Sequence, residues 1–96
     1  MYRIEVSEQA EDQLRDLDKP VRERVTKKID EIQQRIQDLG MDPNRAVEKR
    51  LRSPFHRYLQ QRVGDYRVWF VDIPEDEVLL VAYVWHKEEA QERLGG

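Results

Sequence analysis

Tyr58-Leu59-Gln60-Gln61-Arg62-Val63-Gly64-Asp65-Tyr66-Arg67-Val68-Trp69-Phe70-Val71 reads as two alternating strands joined by a two-residue turn at Gly64-Asp65. Such a turn pairs Val63 with Tyr66, Arg62 with Arg67, Gln60 with Trp69 and Leu59 with Phe70. Side chains alternate across a strand. Leu59, Gln61, Val63, Tyr66, Val68 and Phe70 therefore share one face, mostly apolar and suited to a core. Tyr58, Gln60, Arg62, Arg67 and Trp69 share the other. That second face sets two guanidinium groups directly opposite one another beside aromatic rings. Like charges at a cross-strand pair destabilise a sheet, so the pair points to an anion, and arginine grips phosphate bidentately.

The elements on either side of this hairpin follow from periodicity. Tyr2-Arg3-Ile4-Glu5-Val6 alternates as a strand. Ser7 is placed to cap a helix, with Glu8 and Glu11 in its first turn, and Ala10, Leu14 and Leu17 follow at helical spacing. Asp18-Lys19-Pro20 breaks and restarts the chain, Pro20 fitting the first turn of a new helix. Val21, Val25, Ile29, Ile32, Ile36 and Leu39 then form one apolar stripe, and Gly40 is a natural C-cap. The stripe reads as a face packed on a sheet, opposite Leu59, Val68 and Phe70. Met41 to Pro54 reads as a polar and basic connector with a short helical turn around Ala46–Arg52. Pro74-Glu75-Asp76-Glu77 is a turn. Val78 to Trp85 is apolar on both faces, as a central strand is, and Lys87 to Leu94 reads as a short charged helix. The order β-α-α-β-β-β-α predicts a single α+β domain over residues 1–96. A helix hairpin packs on a mainly antiparallel four-strand sheet in two layers, with a short C-terminal helix.

Charge is distributed unevenly. The net charge of −3 argues against a nucleic-acid binder taken as a sum. Between Pro43 and Arg67, however, seven basic residues face two acidic ones, a net +5, which leaves the rest of the chain at −8. Arginine outnumbers lysine 12 to 5, which suits phosphate contact. Lys49, Arg50 and Arg52 lie in this basic middle. A surface reading pairs Arg62 and Arg67 with Asp65 and Glu77 instead. The chain has no cysteine, hence no disulfide and no thiolate metal site, and its two histidines stand 30 positions apart. No metal or other cofactor is expected. No apolar run reaches the length of a membrane span, and Met1-Tyr2-Arg3-Ile4-Glu5 is no signal peptide, so a cytoplasmic protein is expected.

The chain resembles the RelE/ParE superfamily of type II toxin–antitoxin toxins, and its RelE branch in particular. The likeness rests on the strand and helix hairpin from Tyr2 to Gly40, on Arg62-Val63-Gly64-Asp65-Tyr66-Arg67-Val68, and on the closing Val84-Trp85-His86-Lys87. It implies a metal-independent endoribonuclease that cuts mRNA in the ribosomal A site and so inhibits translation. Its partners would be a cognate antitoxin protein and the ribosome with its mRNA. In such a reaction the ribose 2′-OH attacks the adjacent phosphate, which needs a base, an acid for the 5′-oxygen and cations around the transition state. The resemblance assigns Arg67 and Arg62 to the phosphate and Lys87, or His86, to the proton. Tyr58, Gln60, Trp69, Lys49 and Arg52 become candidates for substrate contact. The chain departs from the family at Gln60 and Tyr58, where basic residues are common, and at Gln91, near a frequent tyrosine. Arg93 lies at an alternative spacing of that tyrosine. These departures favour the alternatives: a non-catalytic ParE-like toxin that binds DNA gyrase, or a degenerate relative that binds only its antitoxin.

Overall fold

Ser7 decides where the first strand ends. In the computed structural model, which describes residues 1–95, β1 (Arg3–Val6) gives way at Ser7. Its Oγ accepts from the Ala10 amide at 3.1 Å and opens α1 (Glu8–Arg15). Glu8 and Glu11 sit in the first turn, where the helix dipole favours negative charge. The second helix, α2 (Lys19–Leu39), carries Pro20 in its first turn, where a missing N–H costs nothing. It stops at Gly40, whose φ of 64° is open to glycine and strained for other residues. Val25, Ile29, Ile32 and Ile36 are buried against Leu59, Val68 and Phe70, and Val21 is half-buried at the margin of the same core. Leu39, expected to complete the stripe, is 72% exposed. It is the last helical residue, and the left-handed turn at Gly40 brings Met41 onto the core instead.

The sheet has five strands in the order β1-β5-β4-β3-β2, one more than the sequence suggested. The connector holds α3 (Pro43–Ala46), earlier than the expected turn at Ala46–Arg52. Asp42 explains the shift: its carboxylate accepts from the Asn44 amide at 2.8 Å and caps the helix, which holds its pKa below the ordinary aspartate range. Ala46, Val47 and Leu51 are then buried, and Lys49–Arg50 forms β2, antiparallel to β3 (Tyr58–Val63). The Ser53–Pro54 peptide between them is cis. The β3–β4 hairpin has the expected register: Val63 opposite Tyr66, Arg62 opposite Arg67, Gln60 opposite Trp69 and Leu59 opposite Phe70.

From β4 (Tyr66–Ile73) the chain passes a 3₁₀ turn at Pro74–Asp76 into β5 (Val78–His86), then into α4 (Lys87–Arg93). β5 lies between β4, antiparallel, and β1, parallel. Its register slips at Ala82, since Trp69 faces Tyr83 while Phe70 faces Val81. This bulge changes the phase of the strand. Leu79, Val81 and Val84 enter the helix-side core, whereas Tyr83 and Trp85 join Trp69 on the opposite face. The first helix satisfies the irregular backbone. Ser7 Oγ donates to the Ala82 carbonyl at 3.0 Å, and Gln13 Oε1 accepts from the Val84 amide at 2.7 Å.

The outer side of β1 is closed by α2. Gln33 Oε1 accepts from the Ile4 amide at 3.1 Å, and one turn later Gln37 Nε2 donates to the Tyr2 carbonyl at 3.3 Å. A sheet edge otherwise offers unpaired groups to any passing strand. No helix among the described residues is long and apolar enough to cross a membrane.

Candidate functional site

With α1 and α2 covering one face of the sheet, the other face carries the hairpin's second set of side chains. Arg62 and Arg67 stand opposite each other at the turn end, where Gly64 adopts a φ of 58°. Lys87 reaches the same end because its amide donates to the Asp65 carbonyl at 2.7 Å, which ties the start of α4 to the turn. Lys49 arrives on β2, opposite Gln60. Arg62, Arg67, Lys87, Lys49 and Gln60 together line a cleft of about 510 Å³.

The cations are held differently. Arg62 is fixed by Glu48: Nε donates to Oε2 at 2.9 Å and its amide donates to Oε1 at 3.0 Å. Lys87 Nζ lies 3.4 Å from Asp65 Oδ1. Arg67, half-buried, has no carboxylate partner among the described residues. Its Nη1 donates to the carbonyls of Gly64 at 2.9 Å and Tyr66 at 2.8 Å, which orients the planar fork. Neither arginine pairs with Asp65 or Glu77, as a surface reading expected. Asp65 holds Lys87, and Glu77 meets the N-terminal ammonium at 2.8 Å, which lowers its pKa. The cross-strand like-charge pair is thus relieved by one carboxylate and two carbonyls, with Arg67 Nη2 and Nε left for an anion.

Gln60 is only 6% exposed, and its Oε1 accepts from the Trp69 indole at 2.9 Å. The residue that replaces a family cation is therefore committed to a buried aromatic partner. Trp69 itself, 2% exposed, packs with Leu51, Trp85 and Ala90 rather than facing the cleft. Tyr58 lies 5.1 Å from Trp69 between ring centres, and burial pushes its hydroxyl above the ordinary tyrosine range. These two line a second, aromatic cleft on the same face. Arg52 lines a third, which shares Lys49 with the basic cleft and Phe55 with the aromatic one. His86 is not brought to the basic cleft. Its Nδ1 accepts from the Glu88 amide at 3.2 Å, capping α4, and its ring lies edge-on to Tyr66, a residue of the helix-side core.

Sequence reading missed Glu48, whose contact with Arg62 spans 14 residues, and Glu88, a carboxylate lining the basic cleft. The only sequence signal for Glu88 was its place beside Lys87. Among the described residues no cluster of histidine, aspartate or glutamate is arranged to hold a metal ion. The arrangement suits binding a phosphodiester and stabilising negative charge that grows on it.

The family model for the ParE toxin of type II toxin–antitoxin system, parDE, matches residues 4–91. No curated protein matched the sequence. Among solved structures, the toxin–antitoxin complex RelBE2 from Mycobacterium tuberculosis superposes with a TM-score of 0.66 at 24% identity, over 88% of this chain and 90% of that one. The isolated Escherichia coli RelE toxin gives 0.65 at 24% identity, over 98% and 99%. A doubly substituted E. coli RelE in the free state gives 0.61 at 29% identity, over 95% and 87%.

Proposed function

Since this chain belongs to the RelE/ParE superfamily of type II toxin–antitoxin toxins, we propose that its basic cleft binds messenger RNA on the ribosome and cleaves it without a metal. One observation carries this reading: Arg62, Arg67, Lys87 and Lys49 converge on one cleft, with Arg67 oriented by backbone carbonyls and, among the described residues, unpaired with any carboxylate. In the proposed reaction the 2′-oxygen attacks phosphorus, the bond to the 5′-oxygen breaks, and a proton passes to that oxygen. Arg67 grips the phosphoryl oxygens as their charge rises. Arg62, steadied by Glu48, adds a second cation, and Lys87 supplies the proton to the leaving oxygen. In this reading Glu88, which lines the cleft, takes the 2′-OH proton. A cognate antitoxin is the proposed regulatory partner, in line with the RelBE complexes among the structural neighbours.

The test is a primer-extension map of mRNA in translating ribosomes with the protein added. Wild type should cut. Arg67→Ala should lower cleavage about a hundredfold, the usual cost of one lost transition-state donor, without unfolding the domain. A second reading, gyrase binding or antitoxin binding without catalysis, is favoured by Gln60, which Trp69 sequesters. Wild-type protein that is folded and free of antitoxin, yet leaves mRNA intact, would replace the first reading with the second.

A further inference from the structure

We propose that the aromatic cleft beside the basic one is a nucleobase-binding site for the single strand whose phosphate lies at Arg67. The inference rests on the RNA reading above and adds a site to it. The cleft measures about 340 Å³, ample for one base and within the range of small-ligand pockets. Its lining is mainly rings: Phe55, Tyr58, Trp69, Tyr83 and Trp85. Tyr83 and Trp85 stack face to face, parallel within 1° at 4.4 Å between centres, so the Ala82 bulge has set two rings of one strand into a single stack. Tyr58, Tyr83 and Phe55 are half-buried and present their rings, while Trp69 behind them is sealed in.

Three further observations favour a nucleotide over an apolar side chain. Guanidinium groups border the cleft already stacked on its rings: Arg93 lies 5.4 Å from the centre of Trp85, and Arg57 lies 5.5 Å from that of Tyr58. A base between such rings thus has cations at hand for its flanking phosphates. Gln9 lines the cleft from α1 with an amide that both donates and accepts, as the edge of a base requires. Finally, Trp85 Nε1 is a buried donor with no acceptor among the described residues, and Trp85 lines the cleft. A ring nitrogen or carbonyl oxygen of a base would satisfy it once the exposed Arg93 swings off the indole. Continuity supports the path. The Arg52 cleft, sharing Lys49 on one side and Phe55 on the other, joins the two sites across a surface of basic residues.

The chain's two tryptophans both belong to this aromatic cluster, so intrinsic fluorescence reports on the cleft directly. The experiment titrates the protein with a single-stranded oligoribonucleotide and with an abasic strand of the same length. The base-bearing strand should quench the emission and bind about tenfold more tightly, as stacking of one base on an aromatic ring typically gives. Tyr83→Ala should abolish the difference, and Tyr83→Phe, which keeps the ring, should retain it. Arg93→Gln, on the exposed face of α4, provides a variant that leaves the packing intact and should weaken both strands. Equal binding and equal quenching of wild type by the two strands would overturn the base site. So would quenching by an antitoxin alone, which would assign the cleft to a protein side chain. The outcomes separate from those of the nuclease test. Ribosomal cleavage without base-dependent quenching removes only the base site, and base-dependent quenching without cleavage removes only the nuclease.

Discussion

Gln60 and Trp69 show how one substitution in a cleft propagates into the packing beneath it. The indole N–H donates to the Gln60 amide oxygen, and both residues are more than nine-tenths buried. Gln60→Leu should therefore destabilise the domain by about 1–3 kcal/mol, because a buried donor is left unpaired. With Trp69→Phe in the background the same change should cost far less, since no donor remains to strand. Additive effects in chemical denaturation would show that the bond contributes nothing. A lysine at position 60 would supply a cation but no acceptor, so recovering the family's charge here also requires changing Trp69. The register that sets this pair opposite one another was legible in the sequence, because both strands alternate cleanly about Gly64-Asp65. The hold of Glu48 on Arg62 was not. It joins residues 14 apart across a connector with no period from which to predict a fold.

At the scale of elements, α2 both covers the sheet and finishes its edge. Gln33 and Gln37 stand one turn apart and meet the Ile4 amide of β1 and the carbonyl of Tyr2 just before it, a match between helical rise and extended-chain spacing. Gln33→Leu should expose the Ile4 amide to exchange and lower stability by about 1 kcal/mol. Hydrogen exchange resolved by residue is the check, and an unchanged rate at Ile4 with the variant folded would refute the capping role. The apolar stripe of α2 was plain from its spacing, apart from Leu39 at its end. The two-residue β2 was not, since Lys49-Arg50 has no alternation to read. Nor was the bulge in β5: a strand apolar on both faces carries no phase, so nothing in Val78–Trp85 announces that Tyr83 and Trp85 change sides at Ala82.

At the scale of the whole molecule, Tyr2 ties the N-terminal segment across the sheet to β4, its hydroxyl donating to Asp72 Oδ1 at 2.9 Å. Desolvation, aided by this bond and the Asp72 charge, pushes the hydroxyl pKa from 10.0 up to about 12. A pKa raised in the folded state stabilises the fold fully below the unfolded value and loses that contribution as pH climbs through the folded one. The stability of wild type relative to Tyr2→Phe should thus be constant below pH 10 and decline from there to about 12. Denaturant midpoints of the two proteins across that range decide the matter, and parallel curves would show that the hydroxyl is free. The two-layer α+β class was legible because the helix stripe and the hairpin's apolar face demand each other. The strand order was not, because parallel neighbours far apart leave no local mark.

That order also sets a timetable. β1 is made first, yet its sheet partners are Val78–Val81, with Arg3 paired to Val78 across 75 positions. While the chain lengthens, the opening strand has nothing to join, and the cleft lacks Lys87 until still later. A protein proposed to attack translating ribosomes therefore cannot assemble its own cleft until the first residues of α4 have been made.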